Sequence, residues 1–211
     1  MGVHHAELAA WALRPAQFTS RALRIACVFI GLFALTAIIL WFAFGLRWLA
    51  ASGLLLVTFT MMFVRHEVGR VISEVEHPKR DLNLLTLVLA RLEQEQFTSP
   101  RLAELRAALD TNGQPPSHQI AELERLCDWL DWTKNQFFAP FAFLLLVPVQ
   151  VAIGIERWKA RCGSRVPRWL DAIAEFEALN SLAGYAYEHP HDPFPEISET
   201  SPCFVGTQLG Y

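Results

Sequence analysis

LRIACVFIGLFALTAIILWFAFGL, residues 23–46, carries one charge, Arg24, at its second position. At about 1.5 Å per helical residue the uncharged remainder reaches about 30 Å, the thickness of a bilayer's hydrocarbon core. Three residues, Gly45, Leu46 and Arg47, lead into a second run, WLAASGLLLVTFTMMFV (48–64), uncharged for 17 residues. So short a join requires the two runs to form a tight antiparallel helical hairpin. Trp41 and Trp48 flank the turn, where indole rings favour the headgroup level. Arg21 and Arg24 precede the first run; Arg65, Arg70, Lys79 and Arg80 follow the second, while the turn holds only Arg47. Basic flanks stay in the cytosol, so both termini are expected there and the turn outside. Arg24, Trp41, Trp48 and Arg65 are the residues expected to fix the anchor in membrane lipid. Neither run contains Asp, Glu, Lys, Arg or His between 25 and 46 or between 48 and 64. Ion and proton paths are built on such groups, so an anchor is the simpler reading than a transporter or channel.

Outside these runs the pattern becomes amphipathic. Val68, Val71, Ile72 and Val75 keep helical spacing up to Pro78, and Leu82, Leu85, Val88, Leu89 and Leu92 form the next stripe. Ser99 and Pro100 open a helix that stops at Asn112 and Gly113. Ser117, after two prolines, is the expected cap of a helix with the stripe Ile120, Leu123, Leu126, Cys127 and Leu130. A third uncharged run, FFAPFAFLLLVPVQVAIGI (137–155), contains Pro140, Pro148 and Gln150 and continues into ERWKARCG. It is expected as a long helix in the bundle or against the membrane, not a third span. Residues 168–182 form the last helix, and a Pro-rich stretch follows Tyr187. No strand-like alternation occurs. The fold class is therefore all-α: an N-terminal transmembrane helical hairpin followed by an elongated bundle of amphipathic helices. The expected segments are a short helix and linker (1–20), the hairpin (21–65), the helical domain (66–187) and a linker (188–211).

Hydrophobic residues make up 53% of the chain and charged ones 18%, below the roughly 25% of soluble proteins. A net charge of −3 gives no bulk attraction for nucleic acid. Cys27, Cys127, Cys162 and Cys203 are scattered without a CxxC pair, which suits reduced thiols rather than disulfides or zinc. The first apolar run is too long for a signal-peptide core and lacks a cleavage site.

Catalytic motifs are absent: no GxxxxGK[ST], HExxH, GxSxG or GxGxxG occurs. His4, His5 and Glu7 lack ligand spacing. Glu188, His189, His191 and Asp192 lie among prolines that favour a turn. Asp128 and Asp131, a helical turn apart beside Trp129 and Trp132, read as a solvated face. Arg157, Lys159, Arg161, Arg165 and Arg168 cluster in 157–168 and could touch nucleic acid or lipid without sequence preference.

The stretch DAIAEFEALNSLAGYAYEHPHDPFP (171–195) resembles the last core helix of MutS-family mismatch-repair ATPases. Glu175 to Leu179 stands for the acidic-hydrophobic segment, Ser181, Leu182 and Ala183 for the next helical turn, and Tyr185, Tyr187 and Pro190 for the exit to a linker. LARLEQEQFTSPRLAELRAAL (89–109), the Ser117 helix, Asn135 to Phe138 and IERWKARCG (155–163) are similar to segments of the membrane-associated bacterial members, in which a hydrophobic hairpin precedes the core. The resemblance implies a core and lever region in the bacterial cytoplasmic membrane, non-catalytic itself. It would couple the nucleotide state of a covalently attached P-loop ATPase domain to DNA or partner binding. ATP and Mg belong to that domain, no cofactor to this chain, and a homodimer is compatible with the family. The chain departs from the pattern by ending at Tyr211 short of a P-loop and lacking the mismatch-reading domain; Phe194-Pro195-Glu196 has that motif's letters in a linker. Two other readings stand beside it: a stand-alone membrane-anchored scaffold binding partner helices, and a small membrane enzyme using the acidic cluster near Asp128.

Overall fold

The computed structural model describes residues 5–76, 79–109, 114–192 and 194. His4, Pro78, the helix stop at Asn112 and Gly113, Cys203 and the tail from 195 lie outside them. Among the described residues the elements are helical, in the order α1 (His5–Leu13), α2 (Arg21–Phe44), α3 (Arg47–Glu76), α4 (Lys79–Gln94), α5 (Pro100–Leu109), α6 (Pro116–Lys134), α7 (Ala139–Leu144), α8 (Val147–Cys162) and α9 (Val166–Glu188).

The two apolar runs become α2 and α3. Ser20 Oγ accepts a hydrogen bond from Leu23 N–H (3.3 Å), satisfying one of the free donors at the start of α2. Gly45 ends α2 at φ 70°, and its N–H donates to Trp41 O at 2.8 Å, the left-handed cap that glycine adopts without a Cβ penalty. The chain reverses there. α2 and α3 pack together on small residues: a Cβ on Gly53 would stand 3.0 Å from Ala34 Cα and 3.5 Å from Ala37 Cβ. Close backbone approach of this kind is how helices associate where apolar surroundings give no hydrophobic drive. α3 runs on for 30 residues to Glu76, so the second apolar run and the Val68–Val71–Val75 stripe belong to one helix.

α2 and α3 are both long and apolar enough to cross a membrane, with mean hydropathy 2.7 and 1.6 over their best windows. Only 22% and 17% of those windows is buried, which distinguishes them from the core helices of a soluble protein.

The third apolar run is not one helix. α7 stops at Leu144, Leu146 takes φ 52° and ψ 35°, and α8 begins at Val147. Pro148 explains the break, because it has no N–H to give to Leu144 O and its ring would collide with that carbonyl. The exposed ends are repaired locally: Leu146 N–H donates to Phe143 O at 3.1 Å and Gln150 Nε2 to Leu145 O at 2.9 Å. α2 presses on this break, since a Cβ on Gly31 would be 3.1 Å from Leu145 Cα.

α8 is the centre of the bundle. Val149, Ala152, Ile153, Ile155 and Trp158 are all but fully buried, and α1, α2, α3, α6 and α7 all contact it. α6 packs on α4 as well. α6 starts at Pro116, not after a Ser117 cap. Ser117 is buried inside the first turn, where its N–H and hydroxyl donate to the Glu93 carboxylate at 2.9 and 2.5 Å. A long-range carboxylate has taken the capping role that Ser117 was expected to fill. Arg106 donates to Glu93 O at 2.8 Å, drawing α5 to the same point.

Compact units divide within α9, at Met1–Ala174 and Glu175–Tyr211. In the first, one hydrophobic cluster joins Leu8 and Trp11, Cys27 and Ala34, Val57 and Val64, and the bundle residues through Ile173. In the second, Tyr185 Oη donates to Asp192 Oδ2 at 2.5 Å and stacks on the His189 ring at 4.5 Å. That hydrogen bond to a carboxylate raises the Tyr185 phenol above its ordinary value.

Candidate functional site

Two features of the first unit concentrate charge. The first is buried. Lys159 Nζ lies 2.5 Å from Glu156 Oε1, one turn back on α8, and 3.8 Å from Glu74 Oε2 on α3. Glu156 Oε2 accepts the backbone N–H groups of Gln17 (2.6 Å) and Phe18 (3.4 Å) from the segment leading to α2. Glu74 also faces Arg14 at 3.6 Å. Lys159 stands 5.7 Å above the Trp11 ring, which stacks on Trp158. Arg70 closes the periphery, donating to Gln17 Oε1 at 2.7 Å and pairing with Glu67. Together these contacts tie α1, the α1–α2 segment, α3 and α8. A buried charge without partners would be strongly unfavourable, and here each charge meets an opposite charge or backbone donors.

The second feature is open. At the start of α2, Arg21 and Arg24 face Arg157 and Arg161 of α8 and Glu122 of α6 across a pocket of about 510 Å³, with Thr19 on its rim. Arg161 holds Glu122 through two 2.8 Å hydrogen bonds. Arg21, Arg24 and Arg157 make no ion pair with a described residue. Four guanidinium groups therefore line the pocket with one carboxylate, which Arg161 alone engages. The α2 N-terminus adds the positive end of a helix dipole at the same place.

The expected basic cluster is thus divided. Arg157 and Arg161 line the pocket, while Arg165 and Arg168 lie outside it, half-buried and exposed respectively. Lys159 leaves the set altogether: its side chain is 3% exposed and has no surface to offer nucleic acid or lipid. Of the expected anchor residues, Arg24 enters the pocket, Trp41 and Trp48 are exposed at the two ends of the α2–α3 turn, and Arg65 is exposed midway along α3. Sequence reasoning missed Glu122, Glu156 and Glu74. A signal for Glu156 existed: it follows an uninterrupted apolar run and stands three residues before Lys159, the spacing of a helical ion pair.

Asp128 lines an apolar groove of about 320 Å³ with Arg125, Trp129, Trp132 and Phe138. Asp131 pairs with Lys134 at 3.6 Å. The two aspartates therefore do not converge on one site. Cys162 is buried and donates to Gln119 Oε1 at 3.0 Å; burial pushes its thiol up, against the smaller pull of Arg161 and Arg165. Among the described residues no group of three His, Cys, Asp or Glu side chains is placed to hold a metal ion.

Compared with models of known families, with curated proteins and with solved structures, the chain gives no match.

Proposed function

We propose that this chain is a membrane-anchored helical module without a catalytic site of its own, inserted through α2 and α3 as a hairpin and carrying the α4–α9 helices on the cytosolic side. One observation carries the reading. The flanks of α2 and α3 expose large apolar side chains from Ile25 to Phe44 and from Trp48 to Phe63, among them Phe29, Phe42, Leu55 and Phe63 at 67–82%. Soluble proteins rarely expose contiguous apolar surface beyond a few hundred Å², and lipid is the solvent that suits it. The inner edge of the same pair belongs to the core cluster of the bundle, so anchor and bundle are built to move as one. α7, with Phe141 exposed and its end at the break that touches Gly31, extends the apolar belt at the cytosolic end of α2.

Within that reading, the module acts as the core and lever portion of a MutS-related P-loop ATPase. It passes the nucleotide state of that domain to DNA or to a partner as a shift between helix arrangements. The support is the residue pattern of 89–109, 155–163 and 171–187. A second reading is a stand-alone anchored scaffold. It is favoured by Leu84, Leu87 and Val88, an exposed apolar stripe on α4 of the kind that receives a partner helix or a second copy.

Two measurements test these proposals. Alkaline carbonate should leave the full chain in the membrane fraction, and its release would end the anchor reading. Reading the gene downstream of codon 211 separates the finer ones: a P-loop in frame supports the lever, and a stop with none supports the scaffold. The isolated chain should show neither ATP turnover nor preference for mismatched duplex.

A further inference from the structure

We infer that the arginine pocket between α2, α6 and α8 is a binding site for the phosphate of an anionic phospholipid headgroup. The inference rests on the anchor reading, because that reading sets the pocket's height. Arg21 and Arg24 are in the first turn of α2, and the uncharged run begins at the next residue, Ile25. The pocket mouth therefore lies where the hydrocarbon core gives way to headgroups. Exposed Ile25 and Val28 stand one turn beyond Arg21 and Arg24 on the same face of α2, a surface for the lipid's acyl chains next to the site for its phosphate.

Charge and shape agree with that occupant. Arg21, Arg24 and Arg157 face the pocket and have no carboxylate partner among the described residues, and guanidinium forks match phosphate oxygens in planar, paired hydrogen bonds. At about 510 Å³ the space is that of a small-ligand site, not of a groove for a duplex. A duplex would also need an extended basic face, and the chain's net charge is −3. Basic pockets beside membrane helices on the cytoplasmic side hold anionic headgroups. Glu122 sets the strength of the site. By holding Arg161 it keeps one of the four guanidinium groups from the ligand and places one negative charge at the wall.

The test uses the full chain in neutral detergent, with equal amounts of short-chain phosphatidylglycerol and phosphatidylcholine, and reads retained lipid by native mass spectrometry. Phosphatidylglycerol should be retained in preference. Arg21→Gln, Arg24→Gln and Arg157→Gln should each weaken that preference about fivefold, as expected for one interfacial arginine. Arg91→Gln, on α4 and not among the pocket's residues, should not change it. Glu122→Gln, which frees Arg161 and removes the negative wall, should strengthen retention by a similar factor, a gain that misfolding does not produce. Equal retention of the two lipids, or a preference unmoved by both the arginine and Glu122 variants, overturns the inference. So does displacement of the lipid by inorganic phosphate or an oligonucleotide at equal concentration, which would assign the pocket to a soluble phosphate or to nucleic acid. Carbonate extraction of the same protein keeps the two failures apart: a chain that stays in the membrane but shows no lipid preference refutes the site and leaves the anchor standing.

Discussion

Lys159 Nζ and Glu156 Oε1 meet at 2.5 Å within one turn of α8, each side chain only 3% exposed. Breaking such a pair by removing one partner strands a buried charge, at about 3–5 kcal/mol. Lys159→Met should therefore lower the thermal midpoint of the detergent-solubilised chain sharply, and Lys159→Met with Glu156→Gln should recover part of the loss. Near-wild-type stability of the single variant would mean that the cluster is hydrated and energetically idle.

Gly163 is helical, at φ −54°, so it is not required for its backbone freedom. It is required for space: a Cβ there would stand 2.2 Å from Ala12 O. Gly163→Ala should push α1 off the bundle, seen as faster proteolysis around Arg14 and a red shift in Trp11 emission. A cleavage pattern identical to wild type would contradict the close approach.

Gly53 plays the same part in the α2–α3 pair. Gly53→Leu should separate the helices and destabilise the pair by about 1–3 kcal/mol, the usual penalty of overpacking. The readout is disulfide cross-linking between cysteines placed on α2 and α3, which should fall in yield. Unchanged yield would show that the pair does not depend on its small-residue seam.

Leu46, in the turn that Gly45 opens, is 45% exposed. On the anchor reading a cysteine at Leu46, in a chain freed of its native cysteines, should react with an impermeant thiol reagent on intact cells. Labelling at position 5 or 200 instead would reverse the topology.

Cys162 is the pH-sensitive test. Its folded thiol lies above the ordinary range through burial, so the thiol form is favoured by the fold. The stability this supplies is complete below the unfolded thiol's value and is lost as pH climbs through the folded one. Alkylation at neutral pH should be about tenfold or more slower than for an exposed thiol, because the thiolate is the nucleophile. Rapid modification without unfolding would place Cys162 at the surface.

How much of this was legible in the chain follows from the range of each interaction. The α2–α3 pair was readable because apolarity over twenty residues is a local property, and so were the Ser99–Pro100 start of α5 and the stripe of α6. Ser117 misled because a capping residue and a buried hydroxyl look alike until Glu93, 24 residues away, is brought beside it. Lys159 misled for a related reason: its i−3 neighbour Glu156 hinted at an ion pair, but only the fold buries that pair against Trp11 while Arg157 faces the pocket. The basic site itself combines residues of three helices, so its arginines were legible only as two separate groups, Arg21 and Arg24 as a flank and Arg157 and Arg161 as a cluster, and Glu122 not at all.

Pro148 acts the moment it is synthesised. It removes a backbone N–H whatever else has folded, whereas the left-handed Leu146, at about 1–2 kcal/mol, needs Gly31 and the rest of the bundle to hold it. The third apolar run is therefore born already interrupted, before any tertiary contact exists, and folding afterwards only locks the interruption. On the anchor reading this is a matter of parity. Two crossings return the chain to the compartment where it started, and a third, made by 137–155, would deliver the charged end of α8 and α9 to the opposite side. The address of the last quarter of the chain thus depends on one imino acid.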